Sequence, residues 1–289
     1  MDSLWQQITE WIKEALIGGI MSNFQGMFDE VNTKVTDIAV QVGQTPEDFN
    51  SGVFDMVKGL SETVIIPIAG IILTFVLCYE LIQMVIEKNN MAEFDLFNIY
   101  KWIFKTFCAV YILTHTFDIV MGVFELAQYV INASGGYIDG SLNVDLSQFQ
   151  TALQAMEWYE LLGLYLESAI LSLAMKAISI CIFIVIYGRM LEIYLTVSIA
   201  PIPLSTLVNR EWGHTGQNYL KGLIAIAFQG FLIMVCVAIY AALLVGVKDS
   251  IANAADIQAS VWLCVGYTVL LCFTLFKTGS LSKSLFGAH

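Results

Sequence analysis

Charge is scarce in this sequence. Only 13% of its 289 residues are Asp, Glu, Lys or Arg, while 57% are hydrophobic; a soluble domain carries about 25% charged residues. A water-facing surface cannot be built from that composition. A mean hydropathy of +0.72 is hard to hide in one globular core of this size, so lipid is the solvent that accommodates the excess apolar surface. Basic residues are the scarcer sign, 13 against 25 acidic for a net charge of −12, which argues against a surface built to neutralise nucleic-acid phosphates. Paired cysteine spacing is also missing. Cys78, Cys108, Cys181, Cys236, Cys264 and Cys272 all fall in apolar runs and read as reduced, packed thiols. The sequence has no Gly-rich phosphate loop, nucleophile elbow, zinc-finger spacing or H-E-x-x-H run. No catalytic, cofactor-binding or metal-binding residue can therefore be named, and a non-enzymatic role is expected. The first apolar cluster lacks a basic leader and is interrupted by Glu10, Lys13 and Glu14, so the first true span is expected to direct insertion.

What is present is helical periodicity and long apolar runs. Over residues 4 to 20 apolar side chains recur at helical spacing. Trp5 and Trp11 lie on that apolar face and suit interface anchors at the headgroup level, although the same face could pack on the protein itself. Residues 1–63 are expected to form an N-terminal amphipathic, membrane-surface segment with turn signals at 43–46 and 50–52. The transmembrane domain then covers 64–289, with spans at about 64–86, 102–130, 161–187, 222–247 and 261–276. Residues 189–208 are apolar enough to cross, but Pro201 and Pro203 remove two backbone donors. A helix-turn that returns to its own side is the expected form. The fold class is thus all-α: a polytopic membrane protein of about five transmembrane helices, a Pro-broken re-entrant segment and an N-terminal amphipathic helix.

Charge placement sets the orientation. Residues 133–160 contain Asp139, Asp145, Glu157 and Glu160 but no lysine or arginine. With 189–208 re-entrant, Lys88, Lys101, Lys105, Arg189, Arg210, Lys221, Lys277 and Lys283 share one side, leaving Lys248 and three N-terminal lysines on the other. The positive-inside rule then predicts an outside N-terminus, an outer loop at 133–160 and a cytoplasmic C-terminus.

Polar residues within the apolar runs are the candidates for function. His115 and Asp118 lie three apart in the second span with Glu125 farther along the same side, a polar patch facing neighbouring helices, with a proton relay or half a metal site as the alternatives. Ser168, Ser172, Lys176 and Ser179 fall within a stripe under about 90° wide on the third span, which should face protein or water. Lys176 near mid-span calls for an acidic partner, with Glu80, Asp118 and Glu192 as candidates and Asp118 favoured, or else for a wet pathway. Arg189 and Glu192 stand one turn apart and could pair. Ala238, Ala242 and Gly246 repeat every four residues, a small-residue face for packing within the chain or between subunits.

Arg189-Met-Leu-Glu192-Ile-Tyr-Leu, then Ala200-Pro201-Ile202-Pro203, then Lys277-Thr-Gly-Ser-Leu-Ser-Lys-Ser-Leu-Phe-Gly287 resembles the TrbL/VirB-six family of polytopic components of conjugative type IV secretion systems. The resemblance is most specific over residues 160–287. It implies a channel or scaffold subunit in the bacterial cytoplasmic membrane that forms a homo-oligomeric ring, pentameric by resemblance alone. Such a subunit would help DNA or a DNA–protein substrate cross, with membrane lipids, other secretion subunits and ATPases as partners and no cofactor of its own. The short acidic outer loop departs from Gram-negative members and points to a Gram-positive mobile element. A small-molecule or ion transporter and a pure assembly scaffold are the rival readings. Transporters commonly show paired repeats, and only one broken segment is seen here.

Overall fold

The computed structural model of the chain describes residues 2–87, 96–135, 146–252 and 257–288, and every regular element among them is helical. Lys88, Asp139 and Asp145 lie outside the described residues, as do the side chains of Trp5 and Lys248. The elements are α1 (Asp2–Val42), α2 (Pro46–Phe49), α3 (Ser51–Leu60), a π-helical turn (Ser61–Ile65), α4 (Ile66–Glu87), α5 (Leu96–Thr114), α6 (Thr116–Gly135), α7 (Ser147–Gln154), α8 (Trp158–Ser198), α9 (Pro201–Ser205), α10 (Gly213–Ala252) and α11 (Ile257–Leu285). Four stretches are long and apolar enough to cross a membrane: Ser51–Ile86, Trp158–Ser198, Gly213–Gly246 and Trp262–Leu285. The chain is an all-α polytopic membrane protein.

Three expectations need redrawing. The N-terminal turn signals fall where expected, but residues 2 to 42 form one unbroken helix, and the first span extends back to Ser51. The second span is a pair of helices bent by 69° about His115, and it makes a fifth crossing only if the pair is counted as one. The bend has a chemical cause. Thr114 Oγ1 donates to the Val110 and Tyr111 carbonyls, Thr116 Oγ1 donates to those of Ile112 and Leu113, and His115 Nδ1 sits 3.1 Å from the Tyr111 carbonyl. Side chains that compete for the carbonyls of the preceding turn bend a helix. Finally, α8 does not stop at 187. It carries Arg189 and Glu192 in regular helix and breaks only at 199–200, before Pro201.

The chain divides into two compact units, Met1–Val42 with Ala133–Ile186 and Ile233–Lys277, and Gly43–Asn132 with Tyr187–Leu232 and Thr278–His289. In the first, α1 runs parallel to the early part of α8. Lys13 lies 3.8 Å from Glu157, Gly19 faces the Tyr165 ring, Asn23 Nδ2 donates to Ser168 Oγ at 3.0 Å, and Glu30 accepts from Ser179. Progress along one helix matches progress along the other. α1 buries Ile17, Ile20, Phe24, Met27, Val31, Val35 and Ile38, spaced three or four apart as one helical face requires. Within the same unit the Tyr240 and Thr268 hydroxyls join α10 to α11 at 2.7 Å.

In the second unit Phe54, Phe117, Phe124, Met190, Ile193, Tyr194 and Leu223 form one buried cluster, and Ala69, Leu73, Leu77, Ala109 and Leu113 form another. Ile202 and Val208 of the Pro-broken segment pack on the latter. Thr45 caps α2 by accepting from the Asp48 amide at 2.9 Å, and Asn50 caps α3 by accepting from Val53 at 3.0 Å, which satisfies amides that open a helix.

Candidate functional site

Around the proline break in the second unit, hydroxyls bond back to nearby carbonyls: Ser198 Oγ donates to Leu195, Ser205 Oγ to Ile202 and Thr206 Oγ1 to Pro203 at 2.7–2.8 Å. The Val197 and Ile199 carbonyls, which the two prolines cannot serve, accept from the Ala200 and Ile202 amides at 3.2 and 3.1 Å. Asn209 Oδ1 then accepts from the Glu211 and Trp212 amides at 2.8 and 3.0 Å, an Asx turn that starts the return. Gly216 closes the hairpin: a Cβ there would stand 2.7 Å from the Pro203 carbonyl oxygen.

A polar and aromatic clamp fixes the returning segment to α4. Trp212 stacks on Phe75 and Tyr79 with ring centroids 5.7 and 5.1 Å apart. Gln83 Nε2 and the Tyr79 hydroxyl donate to the two Glu211 oxygens at 2.9 and 3.2 Å. Glu80, a candidate from sequence, accepts from Lys105 of α5, while its other oxygen is buried without a hydrogen-bond partner. Trp102 Nε1 reaches the Leu77 carbonyl at 3.4 Å.

Residues 189–203 and 278–287 meet in this unit. Glu192 pairs with Lys283 at 2.7 Å, not with Arg189. Ser282 Oγ donates to the Ala225 carbonyl at 2.6 Å, and Gln229 Nε2 to Thr278 at 3.3 Å. Arg189 is only 6% exposed. Its Nη2 is 3.5 Å from the Ala227 carbonyl and its Nε has no hydrogen-bond partner. Gly230 makes room for it, since a Cβ there would lie 2.7 Å from Nη2. A desolvated guanidinium is costly unless paired, and the Glu192 carboxylate one turn away offsets part of that cost.

The other candidates are dispersed. His115 stacks on Tyr111 with centroids 4.3 Å apart, and Asp118 and Glu125 are exposed on α6. In the first unit Ser168 and Ser179 are buried against α1, whereas Lys176 is exposed. Ala242 and Gly246 are exposed, with Ala238 half-buried. Trp11 is 69% exposed. Among the described residues no three His, Cys, Asp or Glu side chains cluster as metal ligands. Sequence reasoning missed Lys105, Glu211, Trp212, Gly216 and Gly230; only the Asn-Arg-Glu-Trp-Gly turn run at 209–213 carried a local signal.

A family model described as TrbL/VirB6 plasmid conjugal transfer like protein matches residues 31–201, more than half of the chain. No curated protein and no solved structure matches it.

Proposed function

Because the chain belongs to the TrbL/VirB6 plasmid conjugal transfer family, we propose that this multi-pass inner-membrane component of a conjugal transfer system serves as a channel or scaffold subunit. It helps DNA or a DNA–protein complex cross the cytoplasmic membrane. The observation that carries this reading is the family match, which begins at Val31 in the last turns of α1, takes in all of α8 and ends at Pro201, where the proline-broken segment starts. Partner ATPases supply the energy, and several copies of the chain assemble through exposed faces such as Ala242 and Gly246 on α10. We place the C-terminus in the cytoplasm and residues 133–160 outside, an orientation supported by Arg189, Arg210, Lys221, Lys277 and Lys283 falling together on the inner side.

Clean deletion of the chain should abolish transfer of the mobile element while leaving nicking at its origin intact. Transfer at the parental frequency would reject the assignment.

A further inference from the structure

In the first unit α1 has an unusual outward face. Between Trp11 and Val40 no large apolar side chain is exposed on this helix. The side chains turned outward over that length include Ser22, Asp29, Thr33 and Thr36, with Gly18 and Gly26 opening onto empty space. Taken alone this would describe any helix on a soluble surface. Its neighbour decides otherwise. α1 is locked in parallel to α8 by Asn23 on Ser168 and Glu30 on Ser179, and at that level α8 exposes Ile170, Leu173 and Ile180. The apolar side chains belong in hydrocarbon. The polar face beside them does not, because a carboxylate such as Asp29 at bilayer depth costs about 3 kcal/mol even by lenient scales. Lys176 adds a cationic group at this level, on the flank of the α8 stripe that α1 covers at Ser168 and Ser179.

We infer that the outward face of α1 from Gly18 to Thr36, with Lys176 of α8 at its edge, is the water-facing wall of an aqueous path enclosed by several copies of the chain. The inference rests on the proposed multi-copy membrane role. It assigns the lining to the N-terminal helix, with the apolar spans behind it as the lipid-facing layer.

Accessibility of single cysteines tests it. In the full chain with its six native cysteines replaced by alanine, cysteines at Ser22, Asp29 and Thr33 are compared with others at Leu173 and Ile180 and with a reference at Thr151 of α7. A charged, membrane-impermeant methanethiosulfonate is added to cells carrying the transfer apparatus. The α1 positions should react within about tenfold of the reference and the α8 positions at least about a hundredfold more slowly, since only a hydrated thiol ionises to the reactive thiolate. If the α1 positions are as slow as Leu173 and Ile180, the face is dry, against lipid or another copy, and the inference fails. If Leu173 and Ile180 react as fast as the reference, the unit stands in bulk water and the inference also fails. Failure of the underlying role appears separately, as undiminished transfer from the deletion strain, whatever the labelling rates.

Discussion

α1 and α8 are each 41 residues long, about 60 Å at 1.5 Å per residue and twice a hydrocarbon core of about 30 Å, and both bury apolar side chains, yet their outward faces differ. α8 exposes Leu166, Ile170, Leu173, Ile180 and Phe183 and buries Ser168, Ser179, Arg189 and Ser198. α1 buries Ile20, Phe24, Val31 and Ile38 and exposes Ser22, Asp29 and Thr33. The seam between them pairs a polar notch on α8 with Asn23 and Glu30 of α1. Helix length therefore says little about solvent; the chemistry of the outward face says more.

Reversing one face on each helix should give the largest difference. Ile180→Asp places a carboxylate on the apolar side of α8 and should lower stability in nanodiscs by about 3 kcal/mol, while Thr33→Asp on α1 should stay within about 0.5 kcal/mol of the parent. Equal losses at the two sites would erase the contrast. The seam itself should respond less. Asn23→Ala removes the bond to Ser168, whose hydroxyl still donates to the Tyr165 carbonyl at 2.9 Å, so denaturant unfolding should show a loss of about 1 kcal/mol. Adding Ser168→Ala should then cost less than the sum of the two single changes. The smallest effect should be a gain. No atom lies within 4 Å of a Cβ added at Gly26, whereas at Gly19 the Tyr165 ring stands 2.5 Å away. Gly26→Ala should raise stability by about 0.5 kcal/mol through helix propensity, and thermal unfolding should show the opposite sign for Gly19→Ala.

Much of the architecture was legible because spans announce themselves by apolar length. Ser51–Ile86, Gly213–Gly246 and Trp262–Leu285 overlap the apolar runs read from the sequence, and Pro201 and Pro203 mark the break. The errors came from polar residues inside helices. The third span was expected to end at 187, but α8 carries Arg189 and Glu192 onward in regular helix, with Glu192 on Lys283 and the Arg189 guanidinium beside Gly230. Amphipathicity weakens beyond residue 27, yet α1 continues unbroken to Val42. The bend at His115 depends on which carbonyls two threonine hydroxyls choose, a choice made by geometry and not by composition. The clamp on Trp212 and the Lys105–Glu80 pair join residues far apart in sequence, so no local pattern could reveal them.

The partnership of α1 with α8 also sets a timetable for synthesis. Asn23 and Ser168 are 145 positions apart in the chain, and Glu30 and Ser179 are 149 apart. At about 5–20 residues per second, α1 leaves the ribosome on the order of ten seconds before the helix that receives its apolar stripe exists. Until then the stripe that α1 finally buries lacks the polar notch of Ser168 and Ser179 to register against.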